Sequence, residues 1–551
     1  MYRLFKEHFA RNVVSLDGIW TLDVPKTGQR YYAIVPGVWE AIPELAAFEG
    51  VAVYSKAVSV SKGCDIMLRF GGVSHTARVF WNGDEVGSHY NAFTGFEVII
   101  KGVSSGEHRL AVEVDNSFCE NSTLHIPNDY FTYGGINRSV ELHYLEDAYI
   151  ARQSFYATEN PDGTFDAHVR ATVCALKNVS DVQYVLSIAD KSTTVSLNQL
   201  SGGECREIEV VLPSIMAERW EVRDARLYDL CGVLYAGDRS IDDLIDRVGF
   251  RTFEIAGEKM LLNHKRVTIK GFNRHEDHGQ LGMSMDAGTM MCDLQLLLDM
   301  GANSVRTCHY PNDPLFLDLC DELGILVWEE HHARALPGDI LRSELFTKQI
   351  SDCNTEMITQ HVNHPCIYIW GILNECESET EFGHELYRKN FEQLKHLDPT
   401  RPVTFASCRH FKDVCLDLVD VVSFNIYPAW YEDVPVSEYL DKLLKWMDEN
   451  GAKDKPVLIS EIGAGAIPGY HDPFRRAKWS EERQADILEK QISAVLASAR
   501  TSGLYIWQFA DVRVDEKWAM RRPRTMNNKG VVDEYRRPKL AYSTVKELYN
   551  K

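Results

Sequence analysis

The chain has no run of 18 or more apolar residues, so no segment reads as a membrane-spanning helix. Its first stretch, MYRLFKEHFARN, has no apolar signal core and carries Arg3, Lys6, Glu7 and Arg11. Basic residues are in deficit. With 59 Lys and Arg against 80 Asp and Glu, the formal charge is −21, which argues against a nucleic-acid or anionic-membrane partner. An acidic small substrate stays open, because a site can be locally basic within an acidic surface. The 13 cysteines include no C-x-x-C pair, which removes the zinc-ribbon and thioredoxin patterns. Several of them (Cys308, Cys320, Cys366) sit in apolar runs, as small hydrophobes do. A reduced, cytoplasmic compartment is the default expectation. His309, His331, His332, Glu329 and Glu330 fit no H-E-x-x-H or Cys/His spacing, so no metal is expected. Low-complexity tracts and charge-rich linkers are also missing, which predicts packed domains.

What is present falls into three stretches, within the three to four domains that 551 residues suggest. Residues 1–148 read as short strands and turns: GVWEA, DIMLRFGGV, ARVFWNGDEVG, FEVII and HRLAVEV, with Asn82-Gly83 as the strongest hairpin signal. Residues 149–254 form a second β-rich stretch whose size suits a small immunoglobulin-like sandwich. From 255 to 551 strands alternate with helical patterns. Eight candidate strands are RVTIKGF, NSVRT, GILVWEE, CIYIWGILNE, PVTFAS, VVSFNIY, PVLISE and LYIWQFAD. The helix after NSVRT places Leu315, Leu319, Cys320 and Leu323 on one face; the one before it does so with Met291, Leu294, Leu297 and Leu298. The pattern predicts a (β/α)8 barrel, whose active site lies at the C-terminal ends of its strands.

Two of those strand ends carry a glutamate. Glu375 closes IYIWGILNE, and Glu461 closes KPVLISE 86 positions later. Two carboxylates delivered to one rim by two buried strands suit glycosidic cleavage, in which one acid protonates the leaving oxygen while the other attacks or stabilises the sugar carbon. Other polar residues gather at the same ends: Asn273 to Glu276, His309, Glu329 and Glu330, Asn374, Asn425 with Tyr427, and Trp507 with Gln508.

These residues, with SLDGIW (15–20), WNGDEVGSH (81–89), DYFTYGGINR (129–138), GFNRHEDH (271–278), NSVRTCHYP (303–311), NHP (363–365), GILNE (371–375) and SEIGA (460–464), resemble glycoside hydrolase family 2 along essentially the whole chain. The resemblance implies an N-terminal β jelly-roll, galactose-binding-like domain, an immunoglobulin-like β-sandwich and a catalytic TIM barrel. Within the family the chain is most similar to bacterial β-glucuronidases. SFNIYPAWY (423–431) and KWSEERQ (478–484) resemble segments of those enzymes, and NNKG (527–530) resembles their Asn-x-Lys motif for the sugar carboxylate. The chain departs from their pattern at Pro523, where an Arg often stands four residues before that Asn; either Arg522 or Arg524 can substitute. The stretch from 330 to 361 is shorter than in members with a long loop over the site, which predicts an open pocket.

By this resemblance the enzyme is a retaining β-glucuronidase, with a β-galacturonidase or β-galactosidase on the same scaffold as the alternative. Glu375 is the expected acid/base and Glu461 the nucleophile. A charged Glu461 is expected to raise the pKa of Glu375, which then gives its proton to the leaving oxygen. Asn374 is assigned to the sugar 2-hydroxyl and Tyr427 to holding Glu461. His309 and Asn425 are expected to contact sugar or support those that do, Trp507 to floor the sugar ring, and Asp129 to reach in from the first domain. Tyr431, Arg524, Asn527 and Lys529 complete the expected substrate site, with Asn527 and Lys529 as the specificity pair. Double displacement through a glutamate requires no cofactor, although some bacterial relatives bind a flavin away from the active site. The expected partner is a small-molecule or oligosaccharide β-glycoside, and the family implies a homo-oligomer.

Overall fold

The computed structural model describes residues 3–517 and 522–551. Ahead of residue 146 two antiparallel sheets face each other. One has six strands, the other four, and their alternating inward residues (Trp20, Leu22, Tyr54, Leu68, Val79, Val112) form one core. The hairpin signal is realised between strands Thr76–Trp81 and Asp84–Tyr90, with Asn82 and Gly83 both at positive φ, as a type I′ turn requires. GVWEA is not a strand. Trp39–Ala41 is a single 3-10 turn, because Trp39 plugs the core and Gly134 comes so close that an added Cβ would lie 2.0 Å from the indole.

Between residues 148 and 248, sheets of three and four strands pack as a seven-strand sandwich around Phe155, Val169, Tyr184, Leu186 and Leu230. Cys174 and Cys205, directly opposed on neighbouring strands, are disulfide-bonded, a pairing the sequence reading did not include; the other cysteines of the described residues are free.

The remainder is a closed parallel barrel. Its strands are Ile269–Asn273, Ser304–Thr307, Leu326–Glu330, Ile367–Gly371, a fifth in two pieces (Val403–Thr404 and Ala406–Ser407), Val422–Asn425, Val457–Ile462 and Gly503–Ile506, the last pairing back onto the first. All eight were among the candidate strands, most of them as apolar runs, since parallel strands are buried on both faces. The helix Pro314–Leu323 is capped by Asp313 and stopped by Gly324 in the left-handed region. In Ala287–Met300 the buried face is Met290, Leu294, Leu297 and Met300, so Met291 and Leu298 flank the stripe instead of centring it. The fifth strand is followed by turns and not by a helix among the described residues. There Asp413 accepts hydrogen bonds from Ser378, Ser407 and the Cys415 amide and folds the segment back on itself. Among the described residues no helix is long and apolar enough to cross a membrane.

The domains interlock. A segment from Arg3 to Arg11 runs across all of them: Arg3 pairs with Asp318 on the barrel, Glu7 with Arg69 of the first domain, and the amides of Phe9, Ala10 and Arg11 converge on the Asp243 carboxylate of the second.

Candidate active site

Each catalytic candidate leaves a strand at the C-terminal mouth of the barrel. After Ile367–Gly371 the chain kinks, with Leu373 and Glu375 both at positive φ (41° and 54°), an uncommon backbone for non-glycine residues of the kind that clusters at functional sites. The kink is held by the Glu375 amide donating to the Ala406 carbonyl at 3.0 Å. Glu461 sits within the seventh strand, Val457–Ile462, in register with Asn425 on its neighbour.

A chain of hydrogen bonds ties the two carboxylates together. Arg306 donates from Nη1 to Glu461 Oε1 (3.0 Å) and from Nη2 to Asn374 Oδ1 (2.8 Å), and grips Glu330 with Nε and Nη2 at 2.9 Å each. Asn425 donates to Glu375 Oε1 at 2.9 Å and accepts from Ser460 at 2.7 Å. Tyr427 donates to Glu461 Oε2 at 2.6 Å. The buried Asn374 amide nitrogen has no hydrogen-bond partner among the described residues, a donor suited to a sugar hydroxyl. His309 bonds Glu330 at 2.8 Å and stacks on Trp507 with ring centroids 5.0 Å apart. Burial, then the charge of Arg306, holds the His309 imidazole neutral well below its usual range.

The Glu461 carboxyl is pushed up to about 7, by burial first and by the Glu375 charge second, against Arg306 and the Tyr427 hydrogen bond, which favour its ionised form.

A second group lies beside the pair. Lys529 is 3 % exposed, and its ammonium donates to Tyr431 Oη at 2.7 Å while lying 4.1 and 4.6 Å from the ring centres of Tyr427 and Tyr431. Among the described residues no carboxylate lies within ion-pair distance of it. Burial pulls its pKa down, and Arg522 adds to that. Its backbone is fixed by the Gln508 amide on the Lys529 carbonyl (3.0 Å) and by Gln484 on the Gly530 carbonyl (2.9 Å). Asn527 donates to Asp129 at 3.0 Å, and Asp129 also accepts from Arg522 Nε at 2.9 Å and from its Nη2. The first domain therefore contributes Asp129 to the barrel's mouth, as expected. Beside it, Asn128 accepts from Arg334 at 2.7 Å, and Arg334 Nη2 stands 3.8 Å from Glu375.

Of the expected residues, Glu375, Glu461, Asn374, Asn425, Tyr427, His309 and Trp507 converge, as do Tyr431, Asn527, Lys529 and Asp129. Arg524 does not. It occupies a left-handed kink (φ 64°) that turns its side chain out to Glu534, 39 % exposed, and Arg522 takes the inward position. The sequence reading missed Arg306 and Arg334 altogether. Arg306 left a signal, a lone arginine inside a buried strand, which needs an anion to sit there. Among the described residues the one group with metal-ligating spacing, Asp321, His364 and Cys366, lies elsewhere, and both Asp321 oxygens are already taken by His364 (2.5 Å) and the Cys366 amide (2.9 Å).

A barrel with paired carboxylates at its mouth, preceded by two β-domains of which the first reaches into the site, defines a class of glycosidase. The model for the glycosyl hydrolases family 2 TIM barrel domain matches residues 253–551, and that for the family's sugar binding domain matches residues 11–145; the chain belongs to glycoside hydrolase family 2. It is 28% identical to a beta-glucuronidase of Streptococcus agalactiae over 98% of this chain and 96% of that one. A GH2 beta-galacturonidase from Eisenbergiella tayi, solved bound to galacturonate, is 48% identical, covers 100% of this chain and 99% of its own, and superposes with a TM-score of 0.97. A Ruminococcus gnavus beta-glucuronidase in complex with D-glucuronic acid is 25% identical, with a TM-score of 0.87 over 100% of this chain and 99% of that one.

Proposed function

We propose that the chain is a retaining exo-β-uronidase that removes a terminal uronic acid, with galacturonide as the preferred sugar. Glu375 protonates the leaving oxygen while Glu461, aligned by Arg306 and Tyr427, attacks the anomeric carbon. With Glu461 esterified, its negative charge is gone, and Glu375 takes a proton from the incoming water. No step calls for a cofactor.

The observation that carries the uronide reading is the buried Lys529 ammonium, which has no carboxylate within ion-pair distance among the described residues. A charged hydrogen bond to a sugar carboxylate contributes roughly 1.5–3 kcal/mol, or about 10- to 150-fold in affinity. A neutral sugar would leave that ammonium uncompensated. The preference for galacturonide rests on the full-length likeness to the Eisenbergiella tayi enzyme at 48% identity and on Pro523, where glucuronidases often have an arginine. Glucuronide is the second reading, supported by the 28% identical Streptococcus agalactiae relative and by the Asn527-x-Lys529 motif.

The test is kcat/KM on matched p-nitrophenyl β-galacturonide, β-glucuronide and β-galactoside, with Glu461→Ala as the blank. The galacturonide is expected to lead and the galactoside to trail. Lys529→Ala is expected to lower uronide kcat/KM by roughly 10- to 150-fold with the fold intact. An equal loss on the galactoside would sink the carboxylate assignment.

A further inference from the structure

Glu375 has a different neighbour at each of its carboxylate oxygens. Asn425 donates to Oε1 at 2.9 Å, and Arg334 Nη2 faces Oε2 at 3.8 Å. Asn425 is fixed from within the barrel, where it accepts from Ser460. Arg334 is held from outside it. Its Nη1 donates to Asn128 Oδ1 of the first domain at 2.7 Å. The Arg334 backbone lies beside Asn374, since the next amide, Ala335, donates to the Asn374 carbonyl at 2.8 Å. A bond to the backbone does not aim so long a side chain. Asn128 is itself well seated: it is 3 % exposed, its Oδ1 also accepts from the Asp129 amide at 2.8 Å, and its carbonyl accepts from the Asp515 amide of the barrel at 3.3 Å. Burial works against the charge of Arg334, and Glu375 is the largest of the carboxylates that outweigh it, so the guanidinium is held ionised.

Resting on the retaining-uronidase reading, we propose that Asn128 of the first domain is a positioning residue for the acid/base: it aims the Arg334 guanidinium at Glu375 and so fixes the carboxyl that protonates the leaving oxygen. A carboxyl bonded at one oxygen swings about its side-chain torsions, and a charged neighbour at the other oxygen limits that swing. A general acid works only with its proton within hydrogen-bond reach of the departing oxygen. Loss of alignment therefore costs rate where departure needs a proton, and little where it does not. Glu461 has supports of its own in Arg306 and Tyr427, so nucleophilic attack is spared.

The alternative is that Asn128 only packs the first domain onto the barrel and seats Asp129, whose amide shares the same oxygen. Substrates with one sugar and two leaving groups separate the readings. The methyl and p-nitrophenyl β-glycosides of whichever uronic acid is cleaved faster meet the same Lys529, Asp129 and Glu461. Only the aglycone differs: p-nitrophenolate departs as a stable anion and methoxide does not. Asn128→Leu keeps the volume and removes the acceptor; Asn128→Asp keeps an acceptor for both Arg334 and the Asp129 amide. Both are compared with wild type and Glu375→Ala by kcat/KM, which reports the step in which the aglycone leaves. Asn128→Leu is expected to lose about tenfold more on the methyl than on the p-nitrophenyl uronide, part of the roughly 100- to 10,000-fold that a general acid supplies. Asn128→Asp is expected to bring that ratio back to within about threefold of wild type. Equal losses on the two substrates in Asn128→Leu, or no recovery in Asn128→Asp, would overturn the proposal and leave the uronidase reading standing. Glu375→Ala is expected to lose far more on the methyl than on the p-nitrophenyl uronide. Equal losses there would remove the acid/base assignment and overturn both.

Discussion

Glu461 destabilises the fold in the ionic state that attack requires. Burial and the neighbouring Glu375 raise its pKa from 4.5 to about 7, so between those values the folded chain binds a proton that the unfolded chain has released. The stability this confers is full below the unfolded value and is lost as pH rises through about 7, a difference of roughly 3 kcal/mol at most. Glu461→Gln mimics the protonated form without titrating. Its melting temperature should exceed that of wild type by more at pH 8 than at pH 5, read by scanning calorimetry; a pH-independent difference would show that Glu461 is ionised throughout. The same residue illustrates what sequence can and cannot say of a site. Its strand-end position identified it, but not the hydrogen bond from Arg306 that holds it, because that arginine comes from another strand.

At the scale of elements, the fourth barrel strand links packing to chemistry. A Cβ on Gly371 would lie 2.3 Å from Trp328 Nε1 and 2.6 Å from Glu330 Cβ, and Glu330 is what grips Arg306. Gly371→Ala is therefore expected to displace Glu330, loosen Arg306 and lower kcat by more than tenfold, with little change in KM, which the proposed function assigns to the Lys529 end; an unchanged kcat would mean that Arg306 is held without Glu330. The barrel strands were legible because a strand buried on both faces reads as a continuous apolar run. The type I′ turn was legible because Asn-Gly has few other uses. GVWEA was not, since a core tryptophan in a tight turn and one in a strand have the same local composition. The direction taken by Arg522 and Arg524 was not either, because it follows from one backbone angle at a loop residue, which no periodicity encodes.

For the whole molecule, cohesion comes from contacts that cross domain boundaries. Asp243 alone receives three consecutive amides from the segment that runs on to Asp318 and Arg69. Asp243→Ala strands those amides, a loss of roughly 1–3 kcal/mol. It is expected to lower the melting temperature by a few degrees and to expose residues 3–11 to limited proteolysis, with kcat unaltered since no site residue touches Asp243. A protease pattern identical to wild type would show that the segment is held by its other anchors, Arg3 on Asp318, Glu7 on Arg69 and Arg11 on Asp242.

Asp129 crosses a boundary of another kind. It arrives from the first domain to brace a barrel residue that stands 393 positions later in the chain. Whatever seats the first domain on the barrel therefore also sets Asn527 and Arg522, so a shift at that boundary reaches this loop without direct contact with Glu375 or Glu461.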